Sequence, residues 1–309
     1  MKTRQLGRSG LTVSEIGLGC NNFGGRCDIE RSREVIFAAL DAGVTLFDTA
    51  DIYGNFGGSE TFMGEILKGR RDEIVLATKF GMSMNDGEIA RGSRRYIRRA
   101  VEASLRRLQT DYIDLYQLHE PDPNTPIAET LAALNELVLE GKVRYIGSSN
   151  LAGWQIAEAE FVARSAGRER FVSAQNLYSL LNRQIELEVI PAAEHFGVGI
   201  LPFYPLAAGL LTGKFKRNQP AVANTRLASR PAEIAKANFD LIEELERFAG
   251  AEGAGLLDLA FAWLLANPNV SSVIAGATSA EQVKANVATA RYSMSSESYS
   301  AVAVILAKH

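Results

Sequence analysis

The sequence predicts a (β/α)8, or TIM, barrel with an N-terminal β-hairpin and extra helices before and after the eighth strand. Short apolar runs recur along the chain and end near residues 20, 48, 79, 119, 149, 175 and 203. Most of the gaps are about 26–32 residues, the size of one strand–helix unit. The segments between them carry apolar residues at helical spacing and tend to close at glycines, a helix stop signal. Apolar strands without alternation suit a parallel sheet buried on both faces. Eight such units in about 300 residues make one barrel. A doubly wound sheet is the runner-up, but its strand-linked G-x-G-x-x-G is missing: Gly17-Leu18-Gly19 runs on into Cys20-Asn21-Asn22.

Residues 3–15 read as a hairpin turning at Gly7-Arg8-Ser9-Gly10. Ile16 to Gly19 is the first barrel strand, and a helix from Ile29 to Ala42 stops at Gly43. The second strand, Val44 to Phe47, is followed by a helix from Ser59 to Leu67. Ile74 to Thr78 is the third strand, and a helix runs from about Ser93 to Leu108. Tyr112 to Leu118 is the fourth; Glu120-Pro121-Asp122-Pro123 cannot continue as regular helix, and the next helix spans Pro126 to Glu140. Strands then follow at Val143 to Gly147, Phe171 to Ala174 and Gly199 to Pro202, with helices from about Gly153 to Ser165 and before His195. The eighth strand is Val270 to Ala275. One domain is expected over 1–309, with residues 207–269 as a loop and helical insertion within it. In that insertion Lys216 to Pro220 reads as loop, and Ala232 to Ala249 and Leu256 to Ala266 as helices.

Composition narrows the function. The chain is 47% hydrophobic and 22% charged with a net charge of −3, ordinary for a globular protein and without a basic footprint for nucleic acid. The N-terminal residues lack the apolar core of a signal peptide, and no run approaches the roughly 18 apolar residues of a membrane span, so a cytoplasmic protein is expected. Cys20 and Cys27 are the only cysteines, and the three histidines are scattered at 119, 195 and 309. Neither set suggests a metal centre. The arginine-rich segment from Arg91 to Arg107 reads as a solvated helix face rather than an anion patch.

The chemistry gathers at strand exits. Asp48 ends the second strand, and Tyr53 follows it in a glycine-ended loop. Lys79 ends the third strand and His119 the fourth. In a barrel, these exits meet at the C-terminal mouth. An aspartate leaving a buried strand needs a cationic or hydrogen-bonding partner, and Lys79 can supply it. A nearby ammonium is also expected to lower the tyrosine pKa from about 10 and make it a better acid. Singly, each residue has an ordinary structural explanation; together they form a proton-transfer set. Cys20, following the first strand, is expected to border the same mouth.

Four segments carry a family resemblance: Leu46-Phe-Asp-Thr-Ala-Asp-Ile-Tyr-Gly54, Asp111-Tyr-Ile-Asp-Leu-Tyr-Gln-Leu-His119, Gly147-Ser-Ser-Asn150 and Ile274-Ala-Gly-Ala-Thr-Ser-Ala-Glu-Gln282. In these the chain resembles the aldo-keto reductases, from the hairpin to about Asn286. The resemblance implies a (β/α)8 barrel that binds a nicotinamide dinucleotide in extended form, uses no metal, and reduces an aldehyde or ketone to the alcohol. It implies that Tyr53 donates the proton, Lys79 lowers its pKa, Asp48 pairs with Lys79 and His119 orients the carbonyl. Ser149, Asn150 and Gln175 would hold the nicotinamide carboxamide, and Phe203 would stack on the ring. Tyr204 stands where many relatives have serine. Leu206, Gly209, Leu211 and Lys214 match the phosphate loop, and Gly276, Ser279, Gln282 and Asn286 match the adenosine end.

Gln282 is neutral where relatives commonly place an arginine, so Lys214 and Arg226 remain as cations for a ribose 2′-phosphate. NADPH is expected over NADH, with a modest preference; NADH remains possible. A cofactor-sensing binding protein of the channel β-subunit type, with little turnover, is the alternative. The partner is a small carbonyl substrate, with no nucleic acid and no membrane. Neither the substrate nor the oligomeric state is legible. Phe23, Phe56, Met82 and Met84 are candidate apolar walls for the substrate.

Overall fold

A computed structural model describes residues 1–220, 222 and 225–309; Ala221, Ala223 and Asn224, in the loop before Arg226, lie outside the described residues. The chain opens with an antiparallel hairpin, β1 (Thr3–Gln5) and β2 (Thr12–Ser14). Eight parallel strands follow: β3 (Ile16–Gly19), β4 (Leu46–Asp48), β5 (Val75–Phe80), β6 (Ile113–Leu118), β7 (Val143–Ser149), β8 (Phe171–Leu177), β9 (Gly199–Phe203) and β10 (Val273–Gly276). They pair in chain order, and β10 returns to β3. Backbone bonds from Ile200 N to Asn269 O (2.7 Å) and from Ser271 N to Ile200 O (3.0 Å) draw β9 to the segment before β10. The expected barrel is the observed one.

Helices α1 (Ile29–Asp41), α2 (Tyr53–Ile66), α3 (Arg94–Leu108), α4 (Ile127–Leu139), α5 (Gly153–Ser165) and α6 (Val189–Phe196) connect successive strands. Side-chain caps set several of their starts. Asp28 accepts from Arg31 N at 2.9 Å and Ser93 from Tyr96 N at 3.4 Å, each satisfying a donor the helix leaves unpaired. The arginines of α3 form ion pairs: Arg94 with Glu136, Arg98 with Glu140, Arg99 with Asp86 and Glu88, and Arg107 with Glu60. Arg94, Arg98 and Arg99 pair on a solvated face as expected, whereas Arg107 is partly buried against the fully buried Glu60.

The structure departs from the sequence expectation at several boundaries. Strands run deeper into the mouth than their apolar runs, so Lys79, Ser149, Gln175 and Phe203 lie inside strands rather than after them. Hydrogen bonding between neighbours, not hydrophobicity, ends these strands. The eighth strand starts at Val273, and Val270 instead bridges to Ile200. Helix α2 is assigned from Tyr53, but residues 54–57 have positive φ and regular helix begins only after them. The single helix expected over 232–249 is two, α7 (Pro231–Ala235) and α8 (Phe239–Ala251), because the Asn238 side chain accepts from Leu241 N at 3.1 Å and starts a new helix. The remaining helices are α9 (Leu256–Ala266), α10 (Ala280–Ala288) and α11 (Ser296–Lys308). Among the described residues, no single helix is long and apolar enough to cross a membrane.

Strand periodicity positions the site. Side chains alternate between the barrel interior and the helix layer. Leu46, Ala77, Leu115 and Leu201 point inward and cluster with Leu6 and Val13 of the hairpin. Phe47, Leu76 and Tyr116 belong to the larger core between strands and helices. Two residues beyond the inward apolar positions come Asp48, Lys79 and Gln117, also inward. The interior thus has an apolar floor closed by the hairpin and a polar layer above it. Gly7 lets the hairpin seat: its φ is +58°, and a Cβ there would sit 2.5 Å from Gly197 O.

Leu6 is fully buried in this floor. Leu6→Ala should cost about 2–5 kcal/mol of stability through lost burial and a residual cavity, read as a lowered urea midpoint. An unchanged midpoint would show that the hairpin does not close the barrel energetically.

Candidate active site

Asp48 and Lys79 meet at the mouth of the barrel. Lys79 Nζ donates to Asp48 Oδ2 at 2.6 Å and to Thr49 O at 2.9 Å. Both side chains are buried, at 0% and 4% exposure. A buried ion pair is stable only when its remaining hydrogen-bonding capacity is filled. Gln117 Nε2 (3.1 Å) and Gln175 Nε2 (2.9 Å) fill it by donating to Asp48 Oδ1. Gln175 was anticipated only as a cofactor contact, and Gln117 was not anticipated at all. No local sequence signal marks Gln117; its pairing opposite Lys79 in the β5–β6 register places it there.

Tyr53 and His119 lie above this pair. The Lys79 ammonium is 5.1 Å from the Tyr53 ring centroid, and the Tyr53 and His119 rings meet edge to face at 5.7 Å. The four side chains expected to act together therefore share one locus. Burial lowers the Lys79 pKa, but Asp48 and Tyr53 together raise it above its ordinary value, so the amine stays charged. The expectation for Tyr53 needs correction. Lys79 pulls its pKa down, but burial is the larger effect and leaves the phenol above its ordinary value. Burial, then the Lys79 charge, drive His119 down to about 3, so its imidazole is neutral. Its Nδ1 is buried without a hydrogen-bond partner among the described residues, and its carbonyl accepts from Asn150 Nδ2 at 2.9 Å.

A cleft of about 500 Å³ runs from these residues across the mouth. Asp48, Tyr53, His119, Ser149, Asn150, Gln175, Phe203, Tyr204 and Leu206 line one part of it, and Gly209, Lys214, Arg226, Gly276, Gln282 and Asn286 another. Cys20 lines it too, but its thiol is fully buried and burial pushes its pKa well up, so it behaves as a small apolar side chain. Three expected residues do not line the cleft. Lys79 lies behind Asp48. Leu211 is fully buried in the apolar core. Ser279 caps α10, accepting from Gln282 N at 3.4 Å. Gln282 reciprocates toward the loop, its Oε1 accepting from Thr278 N at 2.8 Å. Asn21, Asn22, Met82 and Thr278 line the cleft without having been anticipated as cofactor contacts; Met82 was named only as a substrate wall. Of the other proposed walls, Phe23 is core and Phe56 is 46% exposed.

Arg226 spans the cleft. Its Nη1 donates to the Tyr204 hydroxyl at 2.6 Å, its Nη2 to Asn22 Oδ1 at 3.3 Å, and its guanidinium lies 5.1 Å from the Tyr204 ring centroid. Tyr204 has a φ of +51°, an uncommon conformation for a bulky residue. That turn follows β9 directly and presents the ring to Arg226. The cleft is lined by carboxamide and hydroxyl groups near Asp48 and Tyr53, by a half-buried aromatic ring at Phe203, and by the cations Arg26, Lys214 and Arg226. Among the described residues, no cluster of three or more His, Cys, Asp or Glu could hold a metal.

Behind Lys79 lies a second buried polar group. Glu60 accepts from Thr78 Oγ1 at 2.6 Å and from Arg107 Nε at 2.7 Å. Asp51 faces it with Oδ1 unpartnered among the described residues. Burial and then the Glu60 charge raise the Asp51 pKa to about 8. Between the ordinary carboxylate value near 4 and about 8, the folded chain keeps a proton that the unfolded chain releases. Stability should therefore fall as pH rises through this window, by roughly 1.4 kcal/mol per unit. Asp51→Asn should remove that slope, raising Tm relative to the parent more at pH 8 than at pH 5. Parallel Tm–pH curves would mean that Asp51 is ionised throughout.

The aldo/keto reductase family model matches residues 15–307. The chain is 41% identical to an uncharacterized oxidoreductase, YrpG, of Bacillus subtilis, over 96% of this chain and 93% of the relative. It is 36% identical to a probable voltage-gated potassium channel subunit beta of Oryza sativa, over 93% and 90%. It is 34% identical to L-glyceraldehyde 3-phosphate reductase of Escherichia coli, over 93% and 87%.

Proposed function

The chain belongs to the aldo/keto reductase family, and from that premise we propose that it is a cytoplasmic, NADPH-dependent reductase of aldehydes or ketones with Tyr53 as proton donor. In this reading, residues 1–309 act as one barrel, with 207–269 as its cofactor-facing insertion. The observation that carries the proposal is the buried Asp48–Lys79 pair beneath Tyr53 and His119 at one end of an extended cleft. The bound nicotinamide supplies the hydride; the residues supply the proton, the orientation and the charge.

Tyr53 donates its hydroxyl proton to the carbonyl oxygen. The phenolate left behind faces the Lys79 ammonium, and this attraction offsets the cost of a buried anion. Asp48 keeps Lys79 charged and fixed. His119, neutral, orients the carbonyl by a hydrogen bond and is not a proton store. Ser149, Asn150 and Gln175 would hold the nicotinamide carboxamide, with Phe203 against the ring. Because Asp48 takes the Gln175 amide nitrogen, the Gln175 oxygen is the atom left to accept from a ligand N–H. Holding the reactants in place makes proton transfer effectively unimolecular.

Purified protein should oxidise NADPH steadily with an aromatic aldehyde. Tyr53→Phe should lose at least ~10²-fold in turnover, the low end for general acid catalysis, and still bind NADPH by fluorescence titration. Lys79→Met should lose activity similarly and shift the pH profile of kcat. A Tyr53→Phe variant at the parental rate would sink the assignment. The 36% identity to the potassium-channel β relative supports a second reading, a cofactor-binding protein with little turnover. Tight NADPH binding with no aldehyde-dependent oxidation would favour it.

Cofactor choice follows from the far end of the cleft. Selecting a ribose 2′-phosphate takes cations or anion-binding amides. Gln282 supplies no charge; of the cations that line the cleft, Arg26, Lys214 and Arg226, we assign the preference for NADPH to Lys214 and Arg226. The parent should show a higher kcat/KM with NADPH than with NADH, and Arg226→Ala should narrow that ratio. Equal efficiencies in the parent, or a ratio that survives replacing both cations with alanine, would overturn this account.

A further inference from the structure

The wall of the cleft is positively charged. Among the described residues, Arg26, Lys214 and Arg226 line it, against one lining carboxylate, Asp48. Asp48 is already paired with Lys79 at 2.6 Å, and the His119 imidazole is neutral. A concave wall of one sign concentrates ligands of the other. In the reading above, the phosphates of the cofactor occupy Lys214 and Arg226. Arg26 is left over, and its place in the loop after β3 indicates which ligand it meets.

That loop leans in two directions. Asn21 and Asn22 turn toward β10: a Cβ on Gly276 would lie 3.3 Å from Asn21 Oδ1 and from Asn22 Nδ2, and Asn22 Nδ2 donates to Ala277 O at 3.1 Å. The next residues lean the other way, onto the turn after Tyr53. A Cβ on Gly24 would fall 2.8 Å from Gly58 C, and one on Gly54 would fall 2.4 Å from Phe23 O. Backbones approach this closely only where both sides are glycine. Arg26 belongs to this second half. Gly24 N donates to Cys27 O at 3.0 Å and Cys27 N to Asn22 O at 2.9 Å, and the buried Phe23 and Cys27 anchor the turn at both ends. Arg26 is therefore carried at the cleft rim by a pinned turn, on the side of Tyr53 and not of α10.

We propose that Arg26 recognises an anionic group on the substrate, so that the substrate class is an aldehyde or ketone carrying a carboxylate or phosphate. This rests on the reductase reading above: the carbonyl lies at Tyr53 and His119, and the anionic group at the Arg26 guanidinium. A guanidinium presents parallel N–H donors that match two oxygens of a carboxylate or phosphate. Met82 and the half-buried Phe203 also line the cleft and offer apolar surface to the carbon skeleton. The pinned turn removes loop ordering from the cost of binding.

The test pairs charged aldehydes with neutral ones at saturating NADPH: 4-formylbenzoate with its methyl ester, and 4-formylphenyl phosphate with 4-methoxybenzaldehyde. In Arg26→Ala the charged-to-neutral ratio of kcat/KM should fall about 10-fold through KM, the worth of a hydrogen bond to a charged group. Comparing variant with parent cancels the intrinsic reactivity of each aldehyde. The pair that shows the fall identifies the anion as carboxylate or phosphate, and Arg26→Lys should keep part of the ratio. Calorimetric titration of the alcohol products, 4-(hydroxymethyl)benzoate and 4-(hydroxymethyl)phenyl phosphate, into the protein–NADP⁺ complex reads the same contact without turnover. Arg26-dependent binding there, in a protein that reduces no aldehyde, would uphold the anion site and reject the reductase reading. Steady reduction with both ratios unchanged in Arg26→Ala would overturn the anion site alone. So would an Arg26→Ala variant that binds NADPH more weakly while its ratios hold, because Arg26 would then serve the cofactor. Absence of Arg26-dependent binding in a protein without turnover would overturn it as well.

Discussion

The buried contact between Lys79 and Asp48 constrains the rest of the site. Two charges removed from water are tolerated only if each is closely paired and every remaining lone pair and proton is used. That requirement accounts for features on four strands. Asp48 ends β4 pointing inward, and Lys79 meets it from β5. Gln117 of β6 and Gln175 of β8 turn their amide nitrogens to the second carboxylate oxygen. The Thr49 carbonyl takes another ammonium proton. Because these donors come from different strands, the pair is complete only when the barrel has closed.

The pair also sets the electrostatics above it. A fixed ammonium beside Tyr53 opposes the desolvation that raises the phenol. The same charge adds to the burial that holds His119 neutral. A neutral imidazole and a buried phenol are suited to different tasks, one to orienting a carbonyl and the other to giving up a proton. On the far side of Lys79, the Glu60–Arg107–Thr78 group is satisfied by its own hydrogen bonds, whereas Asp51 is not. Asp48 is thus a satisfied buried carboxylate and Asp51, three residues on, one with an oxygen unpartnered among the described residues.

The mouth is finished by segments outside the strands. Tyr204, in a left-handed conformation immediately after β9, presents its hydroxyl and ring to Arg226, which reaches on to Asn22 on the opposite rim. Strain of this kind is kept where surrounding contacts over-determine it. Helix α5 is built differently: its inward side is packed on the barrel, and Trp154 and Phe161 face solvent.

The order of the elements and the convergence of Asp48, Tyr53, Lys79 and His119 were legible in the sequence. Apolar runs, helix stops and strand-exit residues are local features, and closure of the barrel brings their ends together by topology alone. Asp48, Tyr53, Lys79 and His119 stood out because each is a titratable residue at or just beyond the end of an apolar run. Gln117 did not, because a neutral amide inside a strand has no distinctive local pattern; only the register of β5 on β6 sets it beside Lys79 and within reach of Asp48. Leu211 and Ser279 matched by position but were claimed by core packing and helix capping. The direction of the Tyr53 shift was misjudged because a neighbouring charge can be read from sequence, whereas the depth of burial cannot. Sequence alone determined the periodicities and the chemical groups available. Tertiary structure decided which groups are paired and how far each is removed from water, because both depend on contacts between residues distant in the chain.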